Sequence, residues 1–245
     1  TLFQLAVQRI SGPSLKSSNV SWQMLPPCVV ANEEHRFMAL EQLRELGIEN
    51  ARIILEPTGR NTAPALMLGA LLARDEMAAV GDPILVVAPA DQVITNVAAF
   101  SNVLHQAMHA ATDGSVVVLG IPPKNPETGY GYIHAISEES GQDAPKSVRA
   151  FVEKPDVETA TQYLAQGDYY WNSGMFIMRA SVWIKLLTEF RSDIANLVER
   201  AWQSRSQDTR FVRPERTECS HIAAASIDYA VMETCSTSLP QLGIA

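Results

Sequence analysis

Ile84-Leu85-Val86-Val87-Ala88-Pro89-Ala90-Asp91-Gln92 is an unbroken apolar run that ends on a carboxylate. Such a run suits a strand covered by helices on both faces. Val116–Ile121, VVVLGI, has the same character. Working outward, further strands are read at Pro27–Ala31, Arg52–Glu56, Tyr130–Ile136, Val148–Glu153 and Gly174–Met178. Helices are read between them. Glu33–Leu46 opens after Asn32, a good N-cap, and stops at Gly47. Thr62–Met77 carries Pro64 in its first turn, where a missing N–H costs little. Asn96–Ala111 sets Val97, Phe100, Val103, Leu104 and Ala107 at helical spacing. Asp156–Ala165, Val182–Phe190 and Ile194–Gln203 complete the set. Strands alternating with helices predict an α/β fold whose mixed, mostly parallel sheet is flanked by helices. The strands Tyr130–Ile136 and Val148–Glu153 break the alternation. Their polar link, Ser137–Lys146, is too short for a crossover helix, so they form a small antiparallel excursion.

Composition narrows the function classes. A chain of 245 residues suits one α/β domain. With 47% apolar and 19% charged residues it can bury a core throughout, which excludes disorder. The net charge of -8 excludes attraction to nucleic acid or anionic membrane by the overall field. Phosphates would need local help from a lysine, an arginine, a helix N-terminus or a metal. The longest uncharged apolar run, Ala63–Ala73, falls well short of the ~20 residues of a membrane span. No basic segment precedes an apolar one at the start, so no signal peptide is read. Cys28, Cys219 and Cys235 make no CxxC pair and read as idle thiols in a reducing cytoplasm. The chain begins at Thr1 without a methionine, which hints at an incomplete N-terminus.

Five constellations could carry chemistry, each with a plainer structural explanation. In Glu56-Pro57-Thr58-Gly59-Arg60-Asn61-Thr62 a strand ends, a glycine loop turns and a helix begins. Free N–H groups there attract anions or carbonyl oxygens, with charge from Arg60 and a donor and acceptor from Asn61. The plain alternative is a capped helix after a tight turn. Asp91 stands just past a strand's carboxyl end, where open parallel sheets bind ligands, and could hold a divalent cation beside phosphates. The alternative is a turn or cap, and Asn96 is the better-placed cap. In Thr128-Gly129-Tyr130-Gly131-Tyr132 two glycines let a ligand approach a strand entry, or simply make a turn. Glu153 and Lys154 end a strand before Pro155, which holds Lys154 extended. They reach one ligand only if the strand end twists or bends. Otherwise they are solvated surface charges. Asn172 sits among aromatic rings at the mouth of an apolar strand, able to bond sugar hydroxyls or to form an Asn-Ser-Gly turn. His105 and His109 share a zinc-protease spacing, but HQAMH lacks the glutamate, so they read as ordinary helix residues.

Taken in order, EPTGRNTAPA, PADQVI, PETGYGYI, FVEKPD and YYWNSGMFIMRA strongly resemble the mannose-1-phosphate guanylyltransferase family, with NEEHRF and SIDYAVME fitting the same pattern. The resemblance covers nearly the whole chain. FVEKP also occurs in other sugar-1-phosphate nucleotidyltransferases, whereas RNTAPA and WNSGMF favour the mannose–guanine branch. The resemblance implies a Rossmann-like α/β fold of nucleotidyltransferase type, one domain over residues 1–245. It implies GDP-mannose and pyrophosphate made from GTP and mannose 1-phosphate with Mg²⁺, in the cytoplasm, feeding polysaccharide biosynthesis. A homodimer is expected, with no nucleic-acid or membrane partner.

By the same resemblance Asp91 is a metal ligand, Lys154 holds the sugar phosphate, and Asp91 and Lys154 are the catalytic pair. Glu153 and Asn172 bind mannose. Gly129, Tyr130 and Gly131 shape the sugar subsite, with Gly131 letting the sugar lie against the backbone. Arg60, Asn61 and Thr62 line the nucleotide side.

Three departures qualify this. The family's glycine-rich GxGxRLxPL loop is not in the sequence, a second metal-binding aspartate expected after SIDYAVME is not reached, and Gln92 replaces a histidine. The expectation is a domain incomplete at both ends, with little or no transferase activity if these residues are the whole polypeptide. Another sugar-1-phosphate nucleotidyltransferase and a non-catalytic sugar-nucleotide-binding module are the alternatives.

Overall fold

The structure is a computed structural model that describes residues 1–11, 22–136 and 145–233 in full, and 242–244 by their backbone. Most of the link between the Tyr130–Ile136 and Val148–Glu153 strands lies outside the described residues, as does Cys235. The chain begins with α1 (Leu2–Ser11), β1 (Cys28–Asn32), α2 (Arg36–Glu45), β2 (Arg52–Glu56) and α3 (Thr62–Met77). It continues through β3 (Ile84–Val87), α4 (Val97–Thr112), β4 (Val116–Ile121), β5 (Tyr132–Ile136) and β6 (Lys146–Val152). Then follow α5 (Val157–Gln166), β7 (Tyr169–Arg179), α6 (Ala180–Phe190), α7 (Ser192–Gln203), β8 (Ser206–Gln207), β9 (Phe211–Arg213), α8 (Arg216–His221) and β10 (Leu242–Ile244). A five-residue π-helical turn, Asp228–Met232, closes the fully described part.

Local signals set the boundaries. Asn32 Oδ1 accepts from Glu34 N, opening a 3-10 turn at Glu33–His35 that leads into α2, so the expected single helix has a tighter start. Asn61, Asn96 and Asp156 cap α3, α4 and α5 through their side-chain oxygens. Gly167 ends α5 in the left-handed region, its N–H bonding Tyr163 O.

Two sheets result. The smaller runs β1-β2-β9-β8, with β1, β2 and β9 parallel. The larger runs β3-β7-β4-β10-β6-β5, and β5 also pairs with β7. In it β3, β4, β5 and β10 point one way and β6 and β7 the other. One direction therefore predominates, yet β7 lies between β3 and β4 and makes both contacts antiparallel. The β5–β6 pair is antiparallel as expected and is joined to the large sheet through β7.

The apolar runs face two ways. Val116 and Val118 of β4, with Phe176 and Met178 of β7, pack on α3, α6 and α7, together with Ile54 and Val212 of the smaller sheet. Val117, Leu119, Met175 and Ile177 pack on Phe100, Leu104, Ala107 and Met108 of α4. Alternating residues of one unbroken run thus cover opposite helical layers, which is why those strands show no polar face. A third cluster seats α1 and α2 on Ile53 and Leu55. No helix among the described residues is long and apolar enough to cross a membrane.

The strand β7 is longer than its sequence suggests. Val118 pairs with Phe176 and Gly120 with Asn172, so Ser173, Gly174 and Met175 bulge opposite Leu119. Gly174 takes φ 71° there, and a glycine read as the strand's start is instead its interior kink.

Candidate active site

The strand ends converge on one cluster. The strand β6 stops at Val152, and Lys154 takes φ 46°. Lys154 is therefore not extended before Pro155, a correction to the sequence expectation. This turn is the bend that lets neighbouring residues share a side: Lys154 Nζ lies 3.5 Å from Glu153 Oε1. Glu153 is nearly enclosed, its side chain 10% exposed, whereas Lys154 is 57% exposed. Asn61, φ 71°, is the other non-glycine residue with positive φ among the described residues. Both strained positions fall in constellations picked out by chemistry, and such strain gathers at functional sites.

Gly131 completes the cluster. A Cβ built on it would meet Glu153 Oε2 at 2.5 Å, Phe151 Cε1 at 3.3 Å and Asn172 Cβ at 3.4 Å. The absence of a side chain is what admits the Glu153 carboxylate. Gly131 O also accepts from Asn172 N at 2.8 Å. Gly129 has open space around its Cα, so no described contact demands glycine there. Tyr130 is half-exposed and sets its ring edge-on to Trp171, centroids 5.3 Å apart.

Asn172 lies inside β7. Its Oδ1 accepts from Gly174 N at 2.9 Å, and its Nδ2 donates to Asp228 Oδ1 at 2.8 Å. The Asn-Ser-Gly turn of the sequence reading is thus present, and the amide spans from it to Asp228. Sequence reasoning passed over Asp228. Burial, then the nearby Glu153 carboxylate, push its pKa up to about 6. The available signal was a lone carboxylate among Ile227, Ala230, Val231 and Met232, all buried, on a π turn of the kind often found at functional sites.

Asp91 is exposed in the loop that follows β3. That loop is tied to the cluster next door: Gln92 Nε2 donates to Ser173 O, and Pro89 packs against Gly174. From the other side Arg9 Nη1 donates to Gln92 O at 3.2 Å. Among the described residues no three His, Cys, Asp or Glu side chains group to hold a metal ion. Asp91 therefore offers one exposed carboxylate beside that cluster. His105 Nδ1 is bonded to Ser101 O, and His109 meets Trp22 edge-on, as ordinary helix residues do.

Arg60, Asn61 and Thr62 stand on the β2–α3 turn of the smaller sheet, and their side chains are engaged with protein. Arg60 Nη2 donates to Ser220 O at 2.6 Å, Asn61 caps α3, and Thr62 Oγ1 accepts from Ile227 N at 2.9 Å. No described contact joins this turn directly to Asn172, but residues 227 and 228 touch both. Glu56, at the head of the same turn, was also passed over. Burial pushes its pKa up to about 7, moderated by the Arg60 N–H.

Residues 14–216 match the family model described as Nucleotidyl transferase. The chain is 50% identical over 207 residues to the xanthan biosynthesis protein XanB of Xanthomonas campestris pv. campestris strain B100, covering 84% of this chain and 43% of that protein. It is 41% identical over 235 residues to a mannose-1-phosphate guanylyltransferase of Escherichia coli K12, covering 95% of this chain and 47% of that one. The chain thus spans about half the length of the curated relatives it matches. A crystal structure described as mannose-6-phosphate isomerase from Helicobacter pylori superposes with TM-score 0.82 at 28% identity, covering 100% of this chain and 87% of that one.

Proposed function

This chain belongs to the nucleotidyl transferase family, and on that premise we propose that it forms GDP-mannose and pyrophosphate from GTP and mannose 1-phosphate. The observation that carries the proposal is the meeting of Gly131, Glu153, Lys154 and Asn172 in one strand-end cluster, beside the loop of Asp91. The names of the relatives support the choice of mannose and guanine.

In this reading a phosphate oxygen of mannose 1-phosphate attacks the α-phosphorus of GTP in line. The new P–O bond replaces the bond to pyrophosphate, which leaves. The protein's part is to position and to neutralise charge. Lys154, mobile and largely exposed, meets the sugar phosphate. Glu153, enclosed and able only to accept when ionised, bonds mannose hydroxyls. Gly131 makes room for the Glu153 carboxylate that meets the sugar, with Gly129 and Tyr130 at the rim of the subsite. Asn172 presents an amide to the sugar. Arg60, Asn61 and Thr62 line the nucleotide side with the backbone of their turn and with the side-chain donors left over from their bonds to Ser220 O, Thr62 N and Ile227 N.

Mg²⁺ is the cofactor of this reading. It fits a lone open carboxylate, because magnesium is commonly held by one or two carboxylates plus substrate phosphates and water. Asp91 would hold it, and the bound ion would polarise the α-phosphate and ease departure of pyrophosphate. The same reading sets the reaction in the cytoplasm on a homodimer, which light scattering tests.

The deciding experiment is pyrophosphate release with Mg²⁺ by this chain and by a version extended with the glycine-rich loop and the second aspartate, across GTP, ATP and UTP paired with mannose 1-phosphate or glucose 1-phosphate, and the extended version decides. The expected result is release fastest with GTP and mannose 1-phosphate. A faster rate with another pair overturns the specificity. Ligand-induced stabilisation without pyrophosphate release from any pair overturns the enzyme reading.

A further inference from the structure

We propose that Asp228 is a positioning residue: it holds the Asn172 amide in one orientation, so that Asn172 serves a sugar ligand as a hydrogen-bond donor. The inference rests on the functional reading above for the identity of that ligand, and on geometry alone for the orientation.

The amide of asparagine can usually be turned over without notice. Here both neighbours forbid it. Gly174 N–H can only donate, and it lies 2.9 Å from Asn172 Oδ1. The Asp228 carboxylate, when ionised, can only accept, and it lies 2.8 Å from Asn172 Nδ2. Turning the amide over would set an oxygen against a carboxylate and an N–H against an N–H. One Nδ2–H and one lone pair of Oδ1 remain uncommitted, and both are fixed in direction. The free N–H is the donor for a ligand oxygen. Nearby Glu153, an acceptor, completes a donor–acceptor pair, the arrangement that recognises adjacent sugar hydroxyls.

Asp228 is itself held in place. Ile227 N donates to Thr62 Oγ1 at 2.9 Å, and Glu233 N bonds Asp228 O. Two successive residues thus link the β2–α3 turn to β7. A strut of this kind keeps the Asn172 amide in register with the nucleotide side and reduces the ordering needed on binding.

The test is a double-mutant cycle on the purified protein, read by calorimetry with GDP-mannose and, separately, GTP. Asp228→Ala is expected to weaken GDP-mannose about tenfold while changing GTP less than about twofold. Asn172→Ala should weaken GDP-mannose comparably, and the double variant should be no worse than Asn172→Ala. Asp228→Asn, whose Oδ1 can still accept from Asn172, should restore affinity to within about threefold of the native protein. Multiplying losses, or GDP-mannose bound unchanged by Asp228→Ala, overturns the proposal. If Asp228→Ala does not fold, Asp228→Asn and Asp228→Leu carry the comparison. A native protein that binds neither probe counts against the functional reading instead. The orientation is then decided by NMR: one Asn172 side-chain amide proton shifted downfield by its bond to the Asp228 carboxylate, and returned to the ordinary range in Asp228→Leu, supports it, and no change refutes it.

Discussion

Gly131 and Glu153 are fitted to each other: the space where a Gly131 side chain would begin is taken by Glu153 Oε2, 2.5 Å from the Cβ position. Gly131 is not among the glycines with positive φ, so space rather than backbone freedom explains the glycine. Gly131→Ala should therefore fold with little loss, since the displaced atom is the end of a side chain. It should raise KM for mannose 1-phosphate about tenfold or more by moving the carboxylate. Steady-state kinetics with a melting curve check this, and an unchanged KM would show that Glu153 does not serve the sugar.

Lys154 separates charge from conformation. Its φ of 46° favours glycine. Lys154→Gly should match or exceed the native stability, by up to about 1 kcal/mol, while pyrophosphate release falls by roughly two orders of magnitude. Lys154→Met keeps the strain and loses the charge, so it should be equally inactive without the gain in stability. Activity retained in both variants would remove Lys154 from the phosphate site.

Asp91 is exposed, and among the described residues its carboxylate makes no hydrogen bond or ion pair that holds the loop in place. Asp91→Asn should leave the melting temperature unchanged and lower kcat by roughly two to three orders of magnitude, with a requirement for more Mg²⁺. A magnesium titration of initial rates reads both effects. Native magnesium dependence in the variant would place the metal elsewhere.

Glu56 imposes a pH-dependent cost on folding. Burial pushes its pKa up from the ordinary carboxyl range to about 7, so the folded state binds the proton more tightly. The cost that Glu56 imposes is therefore absent below about pH 4.5, grows as pH rises towards 7, and is complete above that. The penalty is at most roughly 3 kcal/mol at pH 8. Glu56→Gln removes the charge and can still accept from the Arg60 N–H. Urea unfolding should find the variant more stable than the native protein at pH 8, with the gap closing by pH 5. A gap independent of pH would mean that the carboxyl is not buried as described.

Much of this molecule was legible along the chain. The runs ILVV and VVVLGI marked β3 and β4, and the Asn61, Asn96 and Asp156 caps set the starts of α3, α4 and α5. Asp91, Glu153, Lys154 and Asn172 were picked out because strand ends, glycines and prolines bracket them. These are short-range effects, decided by a residue and its neighbours within a turn or two. Strand order is different. The insertion of β7 between β3 and β4, and the pairing of β9 with β2, depend on contacts between distant segments that no local pattern specifies. The three-residue β9 and two-residue β8 are too short to show any periodicity. The bend at Lys154, the burial that lifts Glu56 and Asp228, and the bond from Asn172 to Asp228 across 56 positions arise only after the sheets have closed. Composition and pattern determined an α/β chain, and the order of its motifs singled out candidate residues for a phosphate site. Tertiary structure decided which of them touch, because the energy of a charge or an amide depends on what folding places beside it.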